Sequence, residues 1–348
     1  MGWKHYTPSL WLTDDPATYL IVSAKTLQPS KFLMCSYALT ASAKINLYLK
    51  IVGDRPDGYH ELAMVLQSID LGDQIDLRPL ATNTICIHCN HPEVPQDDRN
   101  LAYQAAALMA AEFPDAWAKY GGIEITIYKQ IPVGAGLAGG STNAAAVLVG
   151  LNSIWHLGLT ELQLQKLAAR LGSDVPFCIT GGTMLATGRG EQLSPLSSLD
   201  RVWVVLGKYR NLCVSTAWAY QTYRQQYRSS YVFDAQTIEY RKQQVRTGLL
   251  VNAIARADVK QIGQLLHNDL ERVVLPKYPQ VQRLKEEFQR LGCAAMMSES
   301  GPTVFALTES RTHAQQVREA VKLAIPDPDL DLWVSPFTAS SIRTTALT

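Results

Sequence analysis

Apolar and polar positions change their period several times along the chain, and each change marks an element. Ser36–Val52 (SYALTASAKINLYLKIV) alternates, which predicts one or two strands. Asp54-Arg55-Pro56-Asp57-Gly58 reads as a turn. Strand character resumes over Glu61–Ile75, with further strands expected at Asp76–Leu80 and Thr84–His88. Asn100–Phe113 reads as an Ala-rich helix and Ile123–Ile131 as an alternating strand. Ser141–Ile154 has helical spacing, and Ser141, Thr142 and Asn143 are all capping residue types. Leu159–Gly172 carries one apolar stripe through Leu162, Leu164, Leu167, Ala168 and Leu171 and predicts another helix. Pro176 predicts extended chain over Asp174–Phe177, because the residue before proline avoids the α region. Gly181-Gly182-Thr183 and Gly188-Arg189-Gly190 are turns around a strand at Met184–Ala186.

The pattern restarts near Ser194. Val202–Leu206 predicts a strand, and Thr216–Tyr227, Gln236–Ala257, Val259–Leu270 and Tyr278–Leu291 predict helices. Ala294–Met297 and Thr303–Leu307 predict a strand pair around Ser298-Glu299-Ser300-Gly301-Pro302, followed by a helix at Ala314–Leu323 and a strand at Leu332–Ser335. Strands and helices come in runs rather than in strict alternation, which predicts an α+β fold in two domains. The expected boundaries are 36–190 and 191–340. Residues 1–35 show no clear period and are expected to form a poorly ordered extension.

Composition narrows the function classes. The chain has 348 residues, 47% hydrophobic and 18% charged, which is globular and long enough for two domains. A net charge of +1 gives no electrostatic case for nucleic acid or a membrane surface. No apolar run reaches the length that crosses a bilayer. Asp14-Asp15 and the absence of Arg before residue 34 argue against a signal or transit peptide. Six scattered cysteines fit a reducing compartment. The pair Cys86 and Cys89 lies in an alternating run, where residues three apart face opposite sides, so no metal site is expected. The expected location is the bacterial cytoplasm, with the plastid stroma as the alternative, and the expected state is a monomer or weak homodimer.

Chemistry concentrates in Pro132–Gly140 (PVGAGLAGG), where Gly134, Gly136 and Gly139 match G-x-G-x-x-G between a strand and a helix. A helix N-terminus with glycines before it offers free N–H groups and close backbone approach to an anion. Dinucleotide binding needs a second strand soon after the helix, ending in a ribose-binding acid. Here a second helix follows instead, and Glu161 sits in its first turn. No Gly-Lys-Ser/Thr follows either, so this is not a Walker loop. A phosphate loop of a third kind remains, beside the alternative of a tight turn that binds nothing.

Three separated stretches then agree: Ala41–Leu62 (ASAKINLYLKIVGDRPDGYHEL), Pro132–Leu148 and Ser298–Leu307 (SESGPTVFAL). In this order they resemble the GHMP small-molecule kinases over roughly Tyr37–Phe337. Ala43–Leu47 (AKINL) and Asp57–Leu62 (DGYHEL), with Leu171–Pro176 (LGSDVP), narrow the likeness to the branch acting on a cytidyl-linked methylerythritol. The resemblance implies a nucleotide-binding domain, a C-terminal substrate domain, and ATP with Mg2+. It implies that the backbone of Pro132, Val133, Gly134, Ala135, Gly136, Leu137, Ala138, Gly139 and Gly140 cradles the phosphates, with a hydroxyl from Ser141 or Thr142 adding a phosphate or metal contact. Asp174 is implied as the base and Lys44 as its cationic neighbour. Asn46, Tyr59 and His60 are implied in substrate binding, and Lys129 and Thr216 match substrate-side positions. Tyr220 is either a stacking partner for the cytosine or a helix core residue. Two positions depart from the family pattern: Ser42 replaces a proline, and Glu299 replaces a glycine and is expected to point outward. A kinase of another alcohol (homoserine or mevalonate) and a non-catalytic sensor are the competing readings.

Overall fold

The structure, a computed structural model, describes residues 36–345; the extension expected over residues 1–35 lies outside the described residues. The strands are β1 (Tyr37–Asp54), β2 (His60–Leu80), β3 (Ile85–Cys89), β4 (Gly122–Tyr128), β5 (Thr183–Gly188), β6 (Gln192–Pro195), β7 (Trp203–Tyr209), β8 (His267–Asn268), β9 (Ala295–Met297), β10 (Val304–Thr308), β11 (Leu330–Pro336) and β12 (Ile342–Thr345). The helices are α1 (Leu101–Glu112), α2 (Pro114–Tyr120), α3 (Gly139–Ile154), α4 (Glu161–Ala168), α5 (Val175–Thr180), α6 (Thr216–Gln226), α7 (Ala235–Arg246), α8 (Leu249–Ala255), α9 (Val259–Gln264), α10 (Glu271–Lys277), α11 (Pro279–Arg290) and α12 (Arg311–Ala324). Strands and helices in separate runs give the expected α+β class.

Two sheets organise the chain. The larger runs β12-β1-β2-β4-β3, with β5 also on β2, β6 on β5, and β8 parallel to β1. The smaller runs β11-β7-β10-β9, antiparallel throughout. α3 packs on β1 and β2, and its run of small residues (Ala144, Ala145, Ala146, Gly150) lets it lie close to the sheet. α11 and α12 cover the smaller sheet. Buried alternating residues of β1, including Leu39, Ala41 and Leu49, belong to the main apolar core.

Several expectations are corrected. The two strands expected between Glu61 and Leu80 are one strand, β2; the irregularity near Gly72 is a bulge, where pairing steps from Ser42↔Gly72 to Ala43↔Ile69. Asp174–Phe177 is not extended: α5 starts at Val175 with Pro176 in its first turn, where a missing N–H costs nothing. The long helix expected over Gln236–Ala257 breaks at Gly248 into α7 and α8. The helix expected to reach Leu270 stops at Gln264, because His267 and Asn268 pair with Tyr48 and Leu49 of β1. The short elements α2, α10, β6 and β12 were not anticipated.

Candidate active site

The glycine-rich loop enters α3 two residues earlier than its capping residue types suggest. Ala138 is the N-cap and takes the left-handed conformation, φ 57. The first helical bond runs from Thr142 N–H to Ala138 O at 2.9 Å, so Gly139, Gly140 and Ser141 have N–H groups with no partner inside the helix. Gly136 has φ 71, and a Cβ there would stand 2.5 Å from Ser298 O, so this glycine is required twice over. Lys44 N–H donates to Leu137 O at 3.1 Å, which ties the loop to β1. Asp73, fully buried on β2, holds the other side of the loop. Its carboxylate accepts from the N–H groups of Gln130 and Ile131, at 2.7 and 2.9 Å, and from Asn143 Nδ2 at 2.8 Å. Lys129 Nζ donates to the same carboxylate. Together Pro132–Gly140 line a cavity of about 320 Å³, with Lys129, Thr216, Glu299, Ser300 and Gly301 on its other walls.

Beside it lies a cavity of about 590 Å³. Asn46, Asp174 and Ser141 line one end, and Tyr59, His60, Arg189, Tyr220 and Arg224 line the rest. Glu299 and Thr216 line both cavities. Both cavities draw residues from both expected halves of the chain.

Lys44 lines neither cavity but bonds Glu299, which lines both. The lysine is 1% exposed, and it and Asn46 share a face of β1. Its Nζ donates to Asn46 Oδ1 at 2.8 Å and to Glu299 Oε2 at 2.7 Å, and lies 3.7 Å from Asp174 Oδ2. Burial alone would lower the lysine pKa, but the carboxylates of Asp174 and Glu299 outweigh it and raise it, so Lys44 is a cation. Burial pushes the Asp174 pKa above its ordinary value; Lys44 pulls it down and Glu299 pushes it up again. Asp174 sits just before α5, yet its side chain makes no capping bond, which leaves the carboxylate facing Lys44. A buried cation beside a carboxylate of raised proton affinity suits removal of a proton from a hydroxyl.

His60 packs against Tyr220, ring centroids 4.9 Å apart, and against Tyr231 at 5.8 Å. Its Nε2 is buried without a partner among the described residues, a polar atom that calls for a ligand group. Burial, assisted by Arg224, holds its pKa down to about 4, so the ring is neutral near pH 7. Burial raises the Tyr220 phenol well above its ordinary value, so it stays protonated. Tyr59 is 52% exposed, with the Arg189 guanidinium 4.8 Å from its ring centroid. Arg224 donates to Asp54 at 2.9 Å and to Gly58 O at 3.0 Å, fixing the turn that carries Tyr59 and His60.

The structure therefore brings together Lys44, Asn46, Asp174, Tyr59, His60, Thr216 and Tyr220, and sets Pro132–Gly140 beside them. Three residues stand elsewhere than expected. Lys129 lines the phosphate-loop cavity, not the larger one, because Asp73 holds it there. Thr142 is fully buried within α3 and lines neither cavity, while Ser141 faces the larger one. Glu299 points inward onto Lys44 rather than outward. Sequence reasoning missed Arg189, Arg224 and Asp73. Arg189, between two turn glycines, was the one with a local signal.

Known proteins resemble this chain along nearly its whole length. The model of the GHMP kinases N terminal domain matches residues 100–182, and that of the GHMP kinases C terminal matches residues 250–327. The 4-diphosphocytidyl-2-C-methyl-D-erythritol kinase of Nostoc punctiforme is 61% identical over 90% of this chain and 99% of its own length. The protein of the same name from Trichodesmium erythraeum is 58% identical over 89% and 99%. A crystal structure of 4-(cytidine 5'-diphospho)-2C-methyl-D-erythritol kinase, 29% identical, matches 86% of this chain and 98% of that one with a TM-score of 0.65. A homoserine kinase from Cytophaga hutchinsonii, 19% identical, shares the fold at a TM-score of 0.70 over 89% and 97%.

Proposed function

The chain belongs to the 4-diphosphocytidyl-2-C-methyl-D-erythritol kinases, within the GHMP kinases, and from that premise we propose how its two cavities divide the reaction. The overall activity is ATP-dependent phosphorylation of 4-diphosphocytidyl-2-C-methyl-D-erythritol, a step of the non-mevalonate isoprenoid route. The triphosphate lies against Pro132–Gly140, and the cytidyl-linked alcohol fills the larger cavity with its 2-hydroxyl toward Asp174. The observation that carries this reading is that Glu299, which lines both cavities, bonds Lys44, while Asp174 of the larger cavity lies 3.7 Å from the same lysine.

Phosphoryl transfer asks for alignment, charge neutralisation and a partner for the hydroxyl proton. Asp174 takes that proton. Lys44, anchored by Asn46, offsets negative charge on the transferring group. The unpaired N–H groups at the start of α3 face the phosphates. His60, neutral and with a free Nε2, bonds the cytosine edge, while Tyr59 and Tyr220 pack on the base. Arg189, which lines that cavity, supplies a cation for the substrate diphosphate. Among the described residues no three His, Cys, Asp or Glu side chains converge as a metal site. Mg2+ belongs to the proposal only as the companion of the ATP phosphates.

A coupled ADP-release assay tests the assignment. Turnover is expected with the cytidyl-linked alcohol and not with free methylerythritol, homoserine or mevalonate. Comparable kcat/KM with homoserine or mevalonate would sink it.

A further inference from the structure

Glu299 is the one carboxylate that lines both cavities, and it makes the shortest contact to Lys44: 2.7 Å, against 3.7 Å for Asp174. Its backbone is left-handed, φ 52, a conformation that disfavours every side chain but glycine's missing one. Such an outlier persists only where the surroundings impose it. They do so here. Asn268 Nδ2 donates to Met297 O and to Glu299 O, at 2.8 and 2.7 Å. Ser298 Oγ donates to Gly136 O at 2.9 Å, and Ser300 Oγ bonds Thr216 Oγ1 at 2.8 Å. The turn is pinned on both sides of Glu299, so only its side chain is free to swing.

We infer that Glu299 competes with the γ-phosphate of ATP for Lys44 and so sets how strongly the site holds a triphosphate relative to a diphosphate. This rests on the assignment of the phosphates to the Pro132–Gly140 cavity. The transferring group must lie between that loop and the alcohol, which is where the Glu299 carboxylate stands. Two anions cannot share one ammonium at hydrogen-bond distance there without repulsion. Part of the γ-phosphate's binding energy therefore goes into moving Glu299 off Lys44. Glu299 has already left Lys44 in the bound ground state and stays away in the transition state, so the cost weakens ATP binding without changing kcat. ADP lacks the γ-phosphate and does not meet Glu299.

The test is calorimetric titration of the full chain with ADP and with the β,γ-imido analogue of ATP, both in MgCl2, for wild type, Glu299→Gln and Glu299→Gly. Gln keeps the size and removes the charge. Gly suits the left-handed backbone, so the turn should hold. Both variants are expected to bind the analogue roughly tenfold tighter, the scale of one charge-assisted hydrogen bond, and ADP as wild type does. Unchanged or weaker analogue binding, or an equal change for both nucleotides, would overturn the competition. A wild-type protein that binds neither nucleotide would overturn the cavity assignment and this inference with it.

Discussion

The cavity under Pro132–Gly140 and the cavity around His60 share Glu299 and Thr216, yet they are built from different material. The first takes nine consecutive residues, six of them Gly or Ala with no side chain beyond a methyl, and presents main-chain N–H groups. The second takes side chains from β1, β2, α3, α6 and four separate turns. A wall of main chain tolerates truncated side chains and resists added atoms. A wall of side chains does the reverse. The two cavities should therefore fail under opposite kinds of substitution.

Asp174→Asn should give the largest effect. The amide keeps the shape but accepts no proton, and a general base contributes about 10²–10⁴-fold. The loss should appear in kcat, measured by ADP release, with both substrates still bound. The pH profile sharpens the point. Asp174 must be ionised to act and its pKa is raised by burial, so wild-type kcat should fall on the acid side at a pH above the ordinary 3.8. A variant within threefold of wild type would show that positioning alone drives the transfer.

His60→Ala comes next. Losing a bond to the base edge should raise KM for the cytidyl substrate by roughly 10–100-fold, about 1–3 kcal/mol, and leave KM for ATP near its wild-type value. A rise in KM for ATP instead would dissolve the division between the cavities.

Ala138→Gly should do least. It removes one methyl from the main-chain cavity at a left-handed residue where glycine is at ease, so KM for ATP should stay within about twofold and the protein should gain at most about 1 kcal/mol in a denaturant titration. A large loss of ATP affinity would mean that side chains matter in that wall after all.

The same contrast explains what the sequence made legible. Glycine spacing is local, so Pro132–Gly140 could be read directly, and only the exact start of α3 escaped: Asn143 looked like a cap but bonds Asp73. Lys44, Asn46, Tyr59, His60 and Asp174 were reached through resemblance, since no local pattern says that positions 44 and 174 meet. Where an orientation depends on a distant partner, local reading failed. Glu299 turns inward because Lys44, 255 positions away, draws it. Lys129 turns to the phosphate-loop cavity because β2 places Asp73 beside it, a pairing invisible in the alternation of either strand.

Asp73 has a consequence for how the glycine-rich loop can be flexible in sequence and firm in space. One carboxylate grips the chain at Gln130 and Ile131, before the loop, and at Asn143, after it. The loop is thereby closed into a ring by a non-covalent clasp, much as a disulfide closes one. Holding its ends together removes most of the wandering that its glycines would otherwise allow, and that entropy is lost when the protein folds rather than when a nucleotide arrives. The glycines then supply room without supplying slack.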